Sequence, residues 1–294
     1  MKKVLITDLK SSVSDGILRV LHAESDYHIY LFSDNVQTII EKNRLTIFPT
    51  KLTDFKNVKN IVYQIKPDFI IFTYNYGNYY SDDKATIQRE NFQTLENIVR
   101  ITRVLDNHLI YISKEFVFNG KKGPYTEDDK PGTDNYYGST IHSAENLALT
   151  SVNRCTVVRH SLIYGYKLYD YFDFTDMFIN KLSRNNNFEL NFNYYTNPVL
   201  LEEFAYSVQK ILEKNLLGVY HISGSEYLTL EDYLYTVADF FRLDTSKIEL
   251  KYKSKPLKFG LINLKAEANF GIKYSDIKNG LTAMKFYSYG DKLF

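Results

Sequence analysis

The stretch Asp54-Phe55-Lys56-Asn57-Val58-Lys59-Asn60-Ile61-Val62-Tyr63-Gln64-Ile65-Lys66-Pro67-Asp68-Phe69-Ile70-Ile71-Phe72 carries two periodicities back to back. In its first part Phe55, Val58, Ile61, Val62 and Ile65 recur at intervals of three and four, which draws one apolar stripe along a helix over 54–65. Pro67-Asp68 then stops the helix, and Phe69-Ile70-Ile71-Phe72 is apolar at every position, as a strand covered on both faces requires. A helix that hands over to such a strand is half of a βαβ unit, and points to a parallel sheet with helices on both sides.

The same alternation extends outward in both directions. Val4 to Thr7 gives a first strand, residues 16–23 a helix and His28 to Phe32 a second strand. Residues 84–105 form a long helix, Leu109 to Ser113 a strand, Tyr137 to Leu149 a helix and Thr156 to Arg159 a further strand. The fold class predicted is α/β, a doubly wound parallel Rossmann-type sheet over 1–165 with a smaller C-terminal lobe over 166–294, whose elements are free to return to the first domain. After about residue 165 the periodicity becomes less regular. Tyr220-His221-Ile222-Ser223-Gly224 precedes a helix over 230–241, capped by Thr229 with Asp232 at the third position.

Composition narrows the function classes. The 294 residues hold 36 basic and 35 acidic side chains, so the chain lacks the broad positive field that would announce nucleic acid or an anionic membrane, and neither is expected as a partner. The opening Met1-Lys2-Lys3-Val4-Leu5-Ile6-Thr7 has an apolar run too short for a signal peptide or a membrane span. One cysteine, Cys155 in Cys-Thr-Val-Val, reads as a buried strand residue; no disulfide framework and no metal site is expected, and the compartment that follows is the cytoplasm. The 26 tyrosines and 20 phenylalanines, with no tryptophan, are read mostly as filling for the core and its margins.

Four segments carry a resemblance. The longest is Tyr111-Ile112-Ser113-Lys114-Glu115-Phe116-Val117-Phe118-Asn119-Gly120, continuing through Pro124-Tyr125-Thr126-Glu127 to Pro131; then come Asn135-Tyr136-Tyr137-Gly138-Ser139-Thr140 with Glu145, Val158-Arg159-His160-Ser161-Leu162-Ile163-Tyr164-Gly165, and Gly218-Val219-Tyr220-His221-Ile222-Ser223-Gly224. In this order they resemble the extended short-chain dehydrogenase/reductase family, and within it the dTDP-4-dehydrorhamnose reductase branch. The resemblance implies hydride transfer from NAD(P)H to a sugar ketone, with a tyrosine as proton donor, a lysine four residues later and a Ser or Thr that polarises the carbonyl. It also implies that the last segment is a strand of the substrate lobe.

The chemistry-bearing positions depart from that pattern. The family's three phosphate-loop glycines fall at Asp8, Ser11 and Ser14. A carboxylate at the pyrophosphate turn repels phosphate by roughly a few kcal/mol, so the cofactor expected is none or weakly bound NAD(P)H. The blander reading makes Asp8 or a serine the cap of the first helix and Gly16 an incidental survivor. Tyr137 matches the catalytic tyrosine, but Ile141 stands at the lysine position and Lys114 at the Ser/Thr position, preceded by Ser113. Lys114 either supplies the missing positive charge or faces solvent or a carboxylate, and His142 is a helix-surface histidine rather than a substitute acid. Asn91 is either a cofactor-side asparagine or a helix-bending polar group. Arg159 and His160 are the candidate substrate contacts, against a salt bridge for the first and a satisfied core histidine for the second; His221 is read as a core or rim histidine.

Together these readings favour a noncatalytic binding or regulatory subunit; the regulatory subunit of methionine adenosyltransferase resembles the same branch. The alternative is an active NAD(P)H-dependent nucleotide-sugar 4-ketoreductase or epimerase with a rearranged site, and a third is an interaction protein without a small ligand. The partners implied are a nucleotide sugar and a protein partner or a second copy of the chain.

Overall fold

In the computed structural model, which describes residues 1–9, 11–77, 83–167 and 173–287, strand and helix alternate from the start. β1 (Lys2–Ile6) leads to α1 (Ser12–Ala23), β2 (Tyr27–Ser33), β3 (Ile40–Lys42), β4 (Leu45–Pro49), α2 (Phe55–Ile65) and β5 (Phe69–Phe72). A long helical stretch follows, made of α3 (Lys84–Ile87), a π-helical turn (Gln88–Gln93) and α4 (Thr94–Leu105), and then β6 (His108–Lys114), α5 (Tyr136–Ser151) and β7 (Cys155–His160). The second half holds β8 (Ile163–Tyr164), α6 (Phe174–Ser183), β9 (Phe188–Leu190), β10 (Tyr194–Thr196), β11 (Val199–Leu200), α7 (Leu201–Lys214) and β12 (Gly218–Ile222). β13 (Leu228–Thr229), α8 (Leu230–Phe241), β14 (Ile248–Leu250), β15 (Leu257–Lys258), α9 (Leu264–Phe270) and α10 (Ile277–Tyr287) complete it.

The expected doubly wound sheet is present. Among the described residues it has eight strands in the order β12-β7-β6-β5-β1-β2-β4-β3, parallel throughout except for the antiparallel edge strand β3. Strand side chains alternate between its faces. Ile6, Ile71, Ile112 and Val158 pack under α1 and α7, while Leu5, Ile70, Tyr111 and Val157 pack under α2, α4 and α5. Each such side chain, fully buried, contributes about 1.5–3 kcal/mol. Because the chain runs outward from β1 through β2 and β4 and then returns to β5 beside β1, the order reverses there and opens a crevice beyond the strands' carboxyl ends.

Several elements differ from the sequence reading. α1 begins at Ser12 rather than 16, because Ser11 and Ser14 cap it reciprocally. β4 was not expected; it pairs with β2 from Ile29↔Leu45 to Ser33↔Pro49. α7 was not expected either, yet Leu201, Phe204, Ala205, Val208, Ile211 and Leu212 form its buried stripe against α1. β12, expected in the substrate lobe, lies in the central sheet, where Gly218 to Ile222 pair with Thr156 to His160. The reason is burial: Tyr220, His221 and Ile222 are covered where they extend the sheet beyond β7.

A third apolar cluster, with Phe178, Phe188, Tyr233, Leu234 and Phe259, gathers α6, α8 and the small sheets β13-β10-β15 and β14-β9. Glu115, just past β6, ties this cluster to the main sheet: its carboxyl accepts from Thr196 Oγ1 at 2.8 Å and from the Gly260 N–H at 2.9 Å. Burial pushes its pKa up to about 8. No helix among the described residues is long and apolar enough to cross a membrane.

Candidate functional site

At the switch point a cavity of 360 Å³ opens, within the usual range of small-molecule sites. Its walls come from the segments after four strands: Ser11 to Val13 after β1, Thr73 and Asn75 after β5, Lys114 to Phe116 after β6, and His160 to Ile163 after β7, with Phe174 and Tyr194 closing the far side.

The turn after β1 is built from polar side chains that satisfy each other. Asp8 is buried, and its carboxylate accepts a hydrogen bond from the Thr73 hydroxyl. Ser14 N donates to Ser11 Oγ at 3.2 Å and Ser11 N to Ser14 Oγ at 3.3 Å, a capping box that closes the helix start. Ser11 is therefore the cap, and Asp8 binds the neighbouring strand end instead. Gly16 is no incidental survivor, since a Cβ there would stand 2.6 Å from Leu201 Cδ1; it lets α7 approach α1. Next to this turn a second cavity of 250 Å³ is bordered by Asp8, Asp34 and Glu90, carboxylates that the sequence reading, apart from Asp8, did not single out. Tyr74 donates to Glu90 Oε2 at 2.7 Å there, and burial, that hydrogen bond and the surrounding carboxylates raise its pKa.

Asn91 lies in the π-helical turn and is buried. Its Oδ1 accepts from Tyr76 N at 2.7 Å and its Nδ2 donates to Tyr76 O at 3.0 Å, so both ends of the amide hold the segment after β5. Such a turn inside a helix widens the backbone by one residue and lets a side chain reach past its neighbours.

Tyr137 is the second residue of α5, whose first turn is capped by the Asn135 side chain accepting from Gly138 N at 2.8 Å. The ring is buried and the hydroxyl donates to Asn75 Oδ1 at 2.9 Å. One turn on, Ile141 is fully buried and offers no hydrogen bond. Lys114 Nζ stands 5.7 Å from the centre of the Tyr137 ring. His142 is on the helix surface, with Nε2 3.1 Å from Asn146 Nδ2.

Ser113 and Arg159 are drawn into a buried network under α5. Ser113 Oγ donates to Glu145 Oε1 at 2.5 Å, and Arg159 holds the same carboxylate through Nη2 at 2.7 Å and Nε at 3.0 Å. Arg159 Nη1 donates to His221 Nε2 at 3.3 Å, while the other ring nitrogen donates to the Tyr125 carbonyl at 3.1 Å. Burial and then Arg159 lower the His221 pKa to about 3. Of the two candidate substrate contacts, Arg159 is thus committed to an ion pair, whereas His160 does line the cavity. His160 is buried, donates from Nδ1 to Ser161 O at 2.6 Å and is held near pKa 3 by burial and then by Lys114. The structure brings together Ser11, Lys114 and His160 on the cavity wall, with Tyr137 behind Asn75; it separates Ser113, Arg159 and Asn91 from them. Asn75 was missed, because nothing in its sequence neighbourhood marks it.

Residues 3–284 match the family described as the RmlD substrate binding domain. Methionine adenosyltransferase 2 subunit beta from Xenopus laevis is 29% identical over 165 residues, 54% of this chain and 49% of that protein, so the chain spans about half the length of such curated relatives. The spore coat polysaccharide biosynthesis protein SpsK of Bacillus subtilis (strain 168) is 20% identical over 252 residues, 84% of this chain and 82% of that one. In fold the chain is similar to a dTDP-4-dehydrorhamnose reductase from Bacillus anthracis str. Ames solved in complex with NADP, with a TM-score of 0.82, 18% identity and coverage of 98% and 100%.

Proposed function

The chain belongs to the RmlD substrate binding domain family, the dTDP-4-dehydrorhamnose reductase-like branch of the extended short-chain dehydrogenases, and on that premise we propose that it is a noncatalytic binding or regulatory subunit on a nucleotide-sugar reductase scaffold. The observation that carries this reading is the state of Tyr137: its hydroxyl is engaged by Asn75, and the position that should hold a lysine is a fully buried isoleucine. A tyrosine acts as a proton donor to a ketone when a neighbouring cation stabilises its anion, and an apolar neighbour works in the opposite sense.

Weak or absent NAD(P)H binding is supported by the turn after β1. The Asp8 carboxylate and the closed Ser11–Ser14 box do not fit a pyrophosphate, which needs open backbone N–H groups and no like charge. A subunit role is supported by relatives whose name describes a subunit.

Titration with NADH and NADPH by calorimetry, run beside an assay of a 4-keto nucleotide sugar, tests the reading. Dissociation constants above the low micromolar range and no turnover are expected. Low micromolar binding together with turnover that vanishes in Tyr137→Phe overturns it. A second reading, an active ketoreductase with a rearranged site, is favoured by the Lys114 ammonium over the Tyr137 ring, and requires Lys114→Ala to abolish that turnover.

A further inference from the structure

We infer that Lys114 and Asn75 form an oxyanion-recognition point in the switch-point cavity, so that the ligand held there is a sugar-sized molecule carrying a negatively charged oxygen group. The inference rests on the noncatalytic reading above and adds the charge of the ligand.

Both residues line the cavity and both stand at Tyr137. The Tyr137 hydroxyl donates to Asn75 Oδ1, which fixes the amide and leaves its Nδ2 as a donor with no hydrogen-bond partner among the described residues. The Lys114 ammonium, over the ring of the same tyrosine, likewise has no hydrogen bond or ion pair among the described residues. Two sets of N–H donors, one charged, are therefore left for whatever occupies the cavity.

The carboxyl groups on the walls do not answer them. Glu115 faces Thr196 and Gly260, and Asp173 Oδ1 caps α6 by accepting from Asp176 N at 3.0 Å. With its pKa near 8, Glu115 is largely protonated at neutral pH, and His160 is uncharged. The carboxylate that remains on the wall, Asp173, is engaged at the start of α6, and an ammonium left without an ion pair attracts an anion; charge-assisted hydrogen bonds are the stronger kind. Phe116, Phe174 and Tyr194 add apolar faces for the carbon skeleton. A hydroxyl at position 114 would polarise a carbonyl; an ammonium there pairs with a carboxylate or phosphate.

Calorimetry on the full chain with glucuronate, glucose and inorganic phosphate tests this. Glucuronate should bind at least about tenfold more tightly than glucose, Lys114→Gln should remove that preference without changing the affinity for glucose, and Lys114→Arg should retain it. Phosphate binding that is lost in Lys114→Gln, without a glucuronate preference, supports the same recognition point with a free oxyanion as its source. Equal affinity for glucuronate and glucose with no phosphate binding, an unchanged preference in Lys114→Gln, or no binding of any probe overturns the inference. None of these readouts depends on turnover, so the outcome is separate from that of the noncatalytic reading.

Discussion

The carboxylate of Glu145, on α5, and the guanidinium of Arg159, on β7, meet at 2.7 Å with side-chain exposures of 1% and 4%. The residues come from a helix and the strand beneath it, so the pair clamps α5 onto the sheet. Removal of one partner leaves a buried charge without its counterpart, which costs about 3–5 kcal/mol. Glu145→Ala should lose that much in urea unfolding, and the double variant Glu145→Met with Arg159→Leu should recover most of it.

Asp8→Gly separates the two roles of the turn after β1. The change removes a carboxylate from the turn after β1 and a hydrogen bond from Thr73. NADPH affinity should rise by about tenfold or more in calorimetry, while stability falls by about 1 kcal/mol. Unchanged affinity would count against the Asp8 charge as a determinant of dinucleotide binding.

Two buried histidines and a buried glutamate set opposite pH slopes. His160 and His221 titrate near 3 in the folded chain against 6.5 when unfolded, so the unfolded chain holds more protons between those values, and the stability they contribute is lost as pH falls from 6.5 towards 3. Glu115 is raised from 4.5 to about 8, so its contribution is present below 4.5 and lost as pH rises through 8. Glu115→Gln should flatten the alkaline decline of the thermal midpoint, opening a gap over the parent chain of roughly 3–6 °C by pH 8.5, the equivalent of about 1–2 kcal/mol.

Gly138 and Gly16 look alike in sequence and should not behave alike. A Cβ at Gly138 would lie 2.4 Å from the Phe116 carbonyl oxygen, which is backbone and cannot swing away, whereas at Gly16 it would meet only side-chain atoms, Leu201 Cδ1 at 2.6 Å and Cγ at 2.7 Å, which can give as far as their buried packing allows. Alanine in a helix interior gains about 1 kcal/mol over glycine. Gly138→Ala should still destabilise by about 1–3 kcal/mol, and Gly16→Ala by less than half as much, in parallel denaturation curves.

The sheet was legible where one periodicity ran without interruption, as at Val58, Ile61 and Val62 before Phe69 to Phe72. β4 was not legible, because Leu45-Thr46-Ile47-Phe48-Pro49 is short and ends in proline; its strand identity comes from pairing with β2. The stripe of α7 was present in the sequence, but Leu200 gives its start no side-chain cap. At the candidate site Tyr137 and Lys114 were legible from their order along the chain. The partners that decide what they do, Asn75 for the tyrosine and Glu145 for Ser113 and Arg159, lie 62, 32 and 14 residues away and follow only from the fold.

The position of β12 has a consequence for synthesis. β7 ends at His160, and the strand that covers its outer edge begins at Gly218, roughly 60 residues later. At about 5–20 residues per second the ribosome needs on the order of 3–12 s to deliver it. For that interval the nascent chain carries an uncovered row of backbone donors and acceptors along Cys155 to His160, a template for pairing with another chain. The closing of this edge is therefore timed by translation, and chains released before β12 emerges leave it open.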